Sequence, residues 1–250
     1  MLLQYRAAAL AGVITQVFWG FIRMMIFYAF YQSTTARQPM TYPDVVTYVW
    51  LGQATILLTF FRTAPDVDQM MRTGTVAYEL VRPVDLYRLW FSRCMALRTA
   101  PLLLRMVPIY VLAGLFFGLR APPSLVCGGL FLLSTVAAIL VAAAFSALMT
   151  VTLLWTVSGQ GINRLLQVCF YFLSGSVVPI PLFPGWAQPV LYILPFRALA
   201  DTPFRIYLGH IPPGEALGAI AHQLGWAGAA TLAGYWLLQL GTRRLVVHGG

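Results

Sequence analysis

The stretch Phe61-Arg-Thr-Ala-Pro-Asp66-Val-Asp68-Gln-Met-Met-Arg72-Thr-Gly74-Thr-Val-Ala-Tyr-Glu79-Leu-Val-Arg82-Pro-Val-Asp85-Leu-Tyr-Arg88-Leu-Trp-Phe-Ser-Arg93, running on to Arg98, is a polar island in an apolar chain. Six arginines (Arg62, Arg72, Arg82, Arg88, Arg93, Arg98) sit here among four of the seven acids, Asp66, Asp68, Glu79 and Asp85. Set between hydrophobic runs, such a segment must lie outside a bilayer. Its mixed charge suits a protein contact better than a polybasic lipid patch.

The island has internal structure. Thr63-Ala-Pro-Asp66 reads as a helix start, with a hydroxyl cap, Pro in the first turn and an acid three residues on. Val67, Met70 and Met71 share one face, while Asp66, Asp68, Gln69 and Arg72 take the other. Gly74 suits the left-handed residue that ends a helix. The spacing therefore predicts a short amphipathic surface helix over 64–73. Pro83 disfavours helix at Arg82. Asp85 then caps a second helix, with Leu86, Leu89 and Trp90 on one side, which lies at the interface and climbs into the next span.

Outward from the island, composition decides the class. Hydrophobic residues make up 60% of the 250 and charged residues 9%, with mean hydropathy +0.77. A soluble domain carries about 25% charged residues. The chain thus reads as an all-α integral membrane protein, one transmembrane domain over 1–250. Six spans are expected, at about 7–31, 44–61, 102–119, 125–155, 164–178 and 216–240, with a cytosolic loop at 62–100. Residues 176–215 are broken by Pro179, Pro181, Pro184, Pro189, Pro195 and Pro203 and read as a re-entrant extracellular region. Such backbone survives at membrane depth only when covered by protein or lining a cavity.

The net charge of +9 would point to nucleic acid in a soluble protein. Here the arginines cluster at span ends, so the charge reads as topology and nucleic acid is not an expected partner. Arg6, the Arg62–Arg98 set, Arg164, Arg243 and Arg244 outnumber Arg37, Arg120, Arg197 and Arg205 on the other side. That excess places the island and both termini in the cytoplasm. The first apolar run has no small-residue cleavage site and reads as a retained span.

Polar residues inside spans mark candidate function. Arg23 lies eight residues from Tyr31, roughly 12 Å along a helix, too deep for easy snorkelling, so it should face protein or water. It reads either as a structural cation or as part of a substrate path. Tyr48, Gln53, Thr55 and Thr59 on the second span either bind helices together or line a cavity. No phosphate-binding loop, His-Glu-x-x-His or Cys-x-x-Cys is present, and Cys94, Cys127 and Cys169 read as packing thiols. Asp201, His210 and Glu215 share the outer region but read as solvated loop groups, and no metal site is expected. His222 reads as a packing residue. Since the spans hold almost no acids, transport would need a partner's energy rather than an ion gradient.

Three motifs then carry a resemblance. They are Met71-Arg-Thr-Gly-Thr-Val-Ala-Tyr-Glu-Leu-Val-Arg-Pro-Val-Asp85, Leu173-Ser-Gly-Ser-Val-Val-Pro179 with Phe183-Pro-Gly-Trp186, and Leu194-Pro-Phe196 leading to Pro203-Phe-Arg-Ile-Tyr-Leu-Gly209. The chain resembles the membrane permease of ATP-binding-cassette exporters of the type-2 class, in the six-span bacterial branch of daunorubicin-resistance permeases. Members carry a longer amphipathic start, whereas Met1–Arg6 alone precede the first run here. The resemblance implies a bacterial cytoplasmic-membrane subunit without its own ATPase site or bound cofactor. ATP and Mg2+ would sit on two separate ATPase subunits, and a second permease, usually a different chain, would complete the assembly in the lipid. The ATPase-coupling residues implied are Asp66, Asp68, Arg72, Gly74, Glu79, Leu80, Arg82, Pro83 and Asp85. The path implied, between spans two and five of facing subunits, would use Arg23, Tyr48, Gln53, Thr55, Phe170, Phe172 and Ser174. Its aromatic lining points to an amphiphilic or drug-like substrate, an aromatic cation by cation–π attraction. Two alternatives remain: a membrane enzyme or assembly factor acting on lipid or glycan at the outer face, and a secondary carrier.

Overall fold

Apolar runs of this length satisfy their backbone in a bilayer only by closing every hydrogen bond internally, and helix is the local way to do so. The computed structural model describes residues 2–60, 63–155 and 160–242, and among these there is no strand. Arg62, Arg243 and Arg244, and residues 156–159, lie outside the described residues.

The helices are α1 Leu2–Ser33, α2 Tyr42–Thr55, α3 Pro65–Thr73, α4 Ala77–Leu80, α5 Leu86–Phe116, α6 Leu125–Thr152, α7 Gln160–Leu173, α8 Gln188–Ile193, α9 Asp201–Tyr207 and α10 Pro213–Thr242. Three are long and apolar enough to cross a membrane: α1 over Leu10–Ser33, α5 and α6. α10 has 30 residues, its apolar run diluted by Glu215, His222, Gln223 and Gln239. α2 and α7 have 14 residues each, about 21 Å of helix against a hydrocarbon layer of about 30 Å. A 3-10 turn at Ile56–Leu58 extends α2. α7 gives way at Ser174-Gly175-Ser176 to the Pro-rich region, which holds α8, α9 and 3-10 turns at Ile180–Leu182 and Pro195–Leu199.

Caps set several of these ends. Thr41 and Asp44 form a reciprocal capping box at α2, and Ser124 accepts from Cys127 N–H to start α6. The interfacial helix and the third span are one element: α5 runs unbroken from its Asp85 cap to Phe116. No break is needed because Arg93 and Arg98, which would otherwise be stranded, both find partners within the protein.

α6 is the hub, packing against α10, α5 and α9. Its buried Ala137, Ala138, Ala142, Ala143 and Ala144 let those neighbours approach closely. On the other flank α1, α2 and α5 pack together, with Trp50 stacked on Phe117 at 4.5 Å. Trp50 also closes over Gly20, where an added Cβ would lie 2.7 Å from the indole. Leu10, Ile14, Phe18, Phe21, Met25 and Tyr28 form an exposed row on α1 at helical spacing. That face is suited to lipid or another apolar surface.

Candidate functional site

Two places gather the polar groups: the helical hairpin 63–85 at one end of the bundle, and a cavity beside Arg23.

The hairpin starts one residue later than its sequence signals. Ala64, not Thr63, is the N-cap of α3, without a side-chain cap. The Ala64 N–H instead donates to Thr150 Oγ1 of α6 at 3.2 Å, so a neighbouring helix satisfies the orphan donor. Gly74 ends α3 at φ 72°, and its N–H and that of Val76 donate back to the carbonyls of Met71 and Met70. Asp85 caps α5 through Oδ1, which accepts from Arg88 N–H at 2.9 Å. Its Oδ2 accepts from Tyr235 of α10 at 3.0 Å.

An ionic strut fastens the hairpin to α5. Glu79 is 5% exposed. Its carboxylate accepts from Trp90 Nε1 at 2.9 Å and from Arg93 at 2.5 Å. Arg93 also reaches Asp66 at 3.3 Å, so one guanidinium joins α3, α4 and α5. Burial pushes the Glu79 carboxyl up, but the bonds from Trp90 and Arg93 and the charges of Arg93 and Arg82 outweigh it and hold it below its ordinary range. Beneath the strut, Ala64, Val67, Val76, Tyr87, Trp90 and Cys94 pack against Ala143, Ala147 and Val151 of α6 and Leu238 of α10. Tyr87 lies directly on Gly234 of α10, where an added Cβ would fall 2.4 Å from the ring. The hairpin is therefore held as one body with the membrane helices.

This arrangement sorts the nine coupling candidates. Glu79 faces inward and works as the strut, because Trp90 and Arg93 leave it no free oxygen to present to a partner. Asp66 shares that role from the rim. Gly74, Asp85 and Pro83 shape the turns. Asp68 and Arg72 pair with each other at 3.1 Å on the outer face of α3, and Arg82 is exposed at the tip. Leu80 closes α4, and its side chain lies outside the described residues. Charge-centred reading of the sequence missed the tip's apolar surface: Tyr78 and Val81 are 72% and 81% exposed, beside Val84. The signal was available, since three apolar residues flank Arg82-Pro83 where no core is within reach. It also missed Arg98, which donates to the Leu57 and Phe60 carbonyls at 3.2 Å each and to Ser146 of α6. Arg98 thereby ties the end of α2 to α5 and α6.

The cavity has a volume of about 670 Å³ and lies between α1, the end of α2, Tyr171 of α7 and residues 177–182. Of the seven path candidates, Arg23 and Gln53 line it. Arg23 donates to the Ser176 carbonyl at 2.8 Å and to the Tyr171 hydroxyl. The others lie away from it. Tyr48 is buried and donates to Asp201 at 3.1 Å, edge-on to Phe204. Thr55 bonds back to Leu51 O within α2. Phe170 packs between Phe145 and Phe196, and Ser174 bonds Ser176. Phe172 points out of α7 and is exposed. Periodicity could assign these residues to helices but could not say which face met protein.

In the Pro-rich region the polar groups disperse. Asp201 is buried with Tyr48 and Arg205, the latter at 3.7 Å, rather than solvated. His210 pairs with Asp44 at 3.4 Å. No group of three potential metal ligands converges among the described residues. His222 and Trp226 both meet the Ile193 carbonyl, at 2.9 and 3.0 Å, fastening α10 to α8.

A family model described as ABC-2 family transporter protein matches residues 17–249. No curated protein matches the chain.

Proposed function

The chain belongs to the ABC-2 transporter family, as a membrane permease whose ATPase is a separate protein, and on that premise we propose that the hairpin 63–85 is its ATPase-docking element. Two ATPase subunits would seat on the hairpins of two permease subunits, the second permease being a different chain or a second copy. The complex would export an amphiphilic or drug-like compound across a bacterial cytoplasmic membrane by alternating access. Six membrane-crossing segments, with both termini and the hairpin in the cytoplasm, fit this role: α2 and α7 would cross with help from the 3-10 turn and the Pro-rich segment that extend them.

One observation carries the reading. The hairpin is exposed and apolar at its tip, yet fastened at its base to α5, α6 and α10. A lever needs both properties, because displacement at the tip reaches the membrane only if the base does not yield. Asp68, Arg72 and Arg82 would give the partner its charge register, and Tyr78, Val81 and Val84 its buried anchor.

The test is recovery of partners by affinity purification from the host in mild detergent. The native chain should bring down a Walker-motif ATPase. A chain with Val81→Asp should lose it while keeping its own thermal stability, since that side chain is exposed and takes no part in the Glu79 strut. Recovery of a well-folded native chain without any ATPase would refute the reading, as would undiminished recovery by the tip variant.

A further inference from the structure

The cavity beside Arg23 deepens the permease reading by indicating the charge of its occupant. All seven acids of the sequence are described, so the charge balance around Arg23 can be followed. Asp44 meets Arg120 and His210, Asp66 and Glu79 meet Arg93, Asp68 meets Arg72, Asp85 meets Arg88, and Asp201 meets Arg205. Glu215 stands in a separate outer pocket with Arg197, Arg205 and His210. None forms an ion pair with Arg23. Its partners are neutral: the Ser176 carbonyl, the Tyr171 hydroxyl and, at 5.7 Å, the face of the Tyr171 ring.

A guanidinium cannot shed its charge, and without a counter-ion in an apolar site it is costly. The cavity wall holds a second polar group in need of a partner. Gln53 is 1% exposed, and both its amide nitrogen and its amide oxygen lack hydrogen-bond partners. Thr15 and Gln16 also line the cavity, Gln16 with an unpartnered amide oxygen, and the rest of the wall is mainly apolar, with Trp19, Ile22, Ile26, Phe30, Phe60 and Leu182. The volume of about 670 Å³ lies within the range of small-molecule sites.

We propose that this cavity binds a single-chain amphiphile with one acidic headgroup, the headgroup accepting from Arg23 and the Gln53 amide and the chain lying along the apolar wall. A cationic amphiphile, which the aromatic content of the sequence alone favours, would meet an uncompensated positive charge there. The inference rests on the permease reading only for the site's purpose.

The test uses the full chain in phosphatidylcholine nanodiscs, without an ATPase. A diazirine-bearing palmitate labels the protein, and peptide mass spectrometry maps the adducts. Labels should fall on α1 between Thr15 and Phe30 and on residues 177–182. Hexadecyl phosphate should compete about tenfold or more better than hexadecanol or hexadecyltrimethylammonium, the range of one charge-assisted hydrogen bond. Arg23→Gln should lose the labelling by a similar factor and Arg23→Lys should keep most of it. Equal competition by the three headgroups would overturn the proposal, and so would unchanged labelling of Arg23→Gln. Phosphatidylglycerol competing as well as hexadecyl phosphate would overturn the single-chain assignment in favour of bilayer lipid. Should Arg23→Gln not fold, the headgroup series on the native chain decides alone. Failure to recover an ATPase would sink the docking reading and leave this assay untouched. Loss of headgroup selectivity would do the reverse.

Discussion

Replacing Glu79 with Ala should loosen the hairpin more than any exposed charge change on it. The carboxylate is 5% exposed and takes two charge-assisted bonds, from Trp90 at 2.9 Å and Arg93 at 2.5 Å. Truncation leaves the Trp90 N–H, itself fully buried, without an acceptor. It also returns Arg93 to Asp66 alone, a rim contact at 3.3 Å to a half-exposed carboxylate. Bonds to charged groups contribute about 1.5–3 kcal/mol each, and one buried orphan donor costs about 1–3 kcal/mol. Since the Trp90 bond and its orphan are the same loss, and Arg93 keeps some solvent, a total of about 2–4 kcal/mol is expected. Glu79→Gln keeps an acceptor for Trp90 and should cost about half as much. Asp66→Asn should cost under about 1 kcal/mol, as exposed pairs do. The assay is reversible unfolding by dodecyl sulfate in mixed micelles, followed by tryptophan fluorescence. A double-mutant cycle of Glu79→Ala with Arg93→Met should show coupling above about 1 kcal/mol. Equal cost for Glu79→Ala and Asp66→Asn, or additivity in the cycle, would refute the strut.

Three further outcomes follow from the same geometry. Gly74→Ala should destabilise by about 1 kcal/mol in that titration; no atom stands near the new Cβ, so the cost is purely that of φ 72°, and Gly74→Asn should be milder. Gly234→Ala should cost about 1–3 kcal/mol, because its Cβ would lie 2.4 Å from the Tyr87 ring and must push α5 off α10; Tyr87→Leu in the same chain should restore part of it. The native advantage over Glu79→Gln should vary with pH in one direction. The folded carboxyl is held below its ordinary value, so the advantage is fully present above the unfolded glutamate range and closes as pH falls through the folded value. An advantage that grew on acidification would contradict the cause assigned to the shift.

Much of the hairpin was legible because its signals are local. Gly74, Pro83 and Asp85 act through their own backbone, so the C-terminal end of α3 and the start of α5 follow from neighbours in sequence. Other positions were not. Thr63 looks like a cap, but Ala64 takes that position, and its N–H donates to Thr150, 86 residues away. The dispersal of the path candidates has the same origin: Tyr48, Gln53 and Thr55 share one helix, and only the packing of α1, α9 and the Pro-rich segment decides which of them meets a cavity.

The sequence by itself therefore determined the helical membrane class, the polar hairpin and its ends, since hydropathy and backbone chemistry are properties of a residue and its near neighbours. Tertiary structure alone decided that Glu79 is buried against Trp90 and Arg93 as a strut. It alone left Arg23 facing a cavity with no acid to match it. Polar pairing depends on which helices meet, and in this chain partners can lie 153 residues apart, as Arg23 does from Ser176 and as Tyr48 does from Asp201.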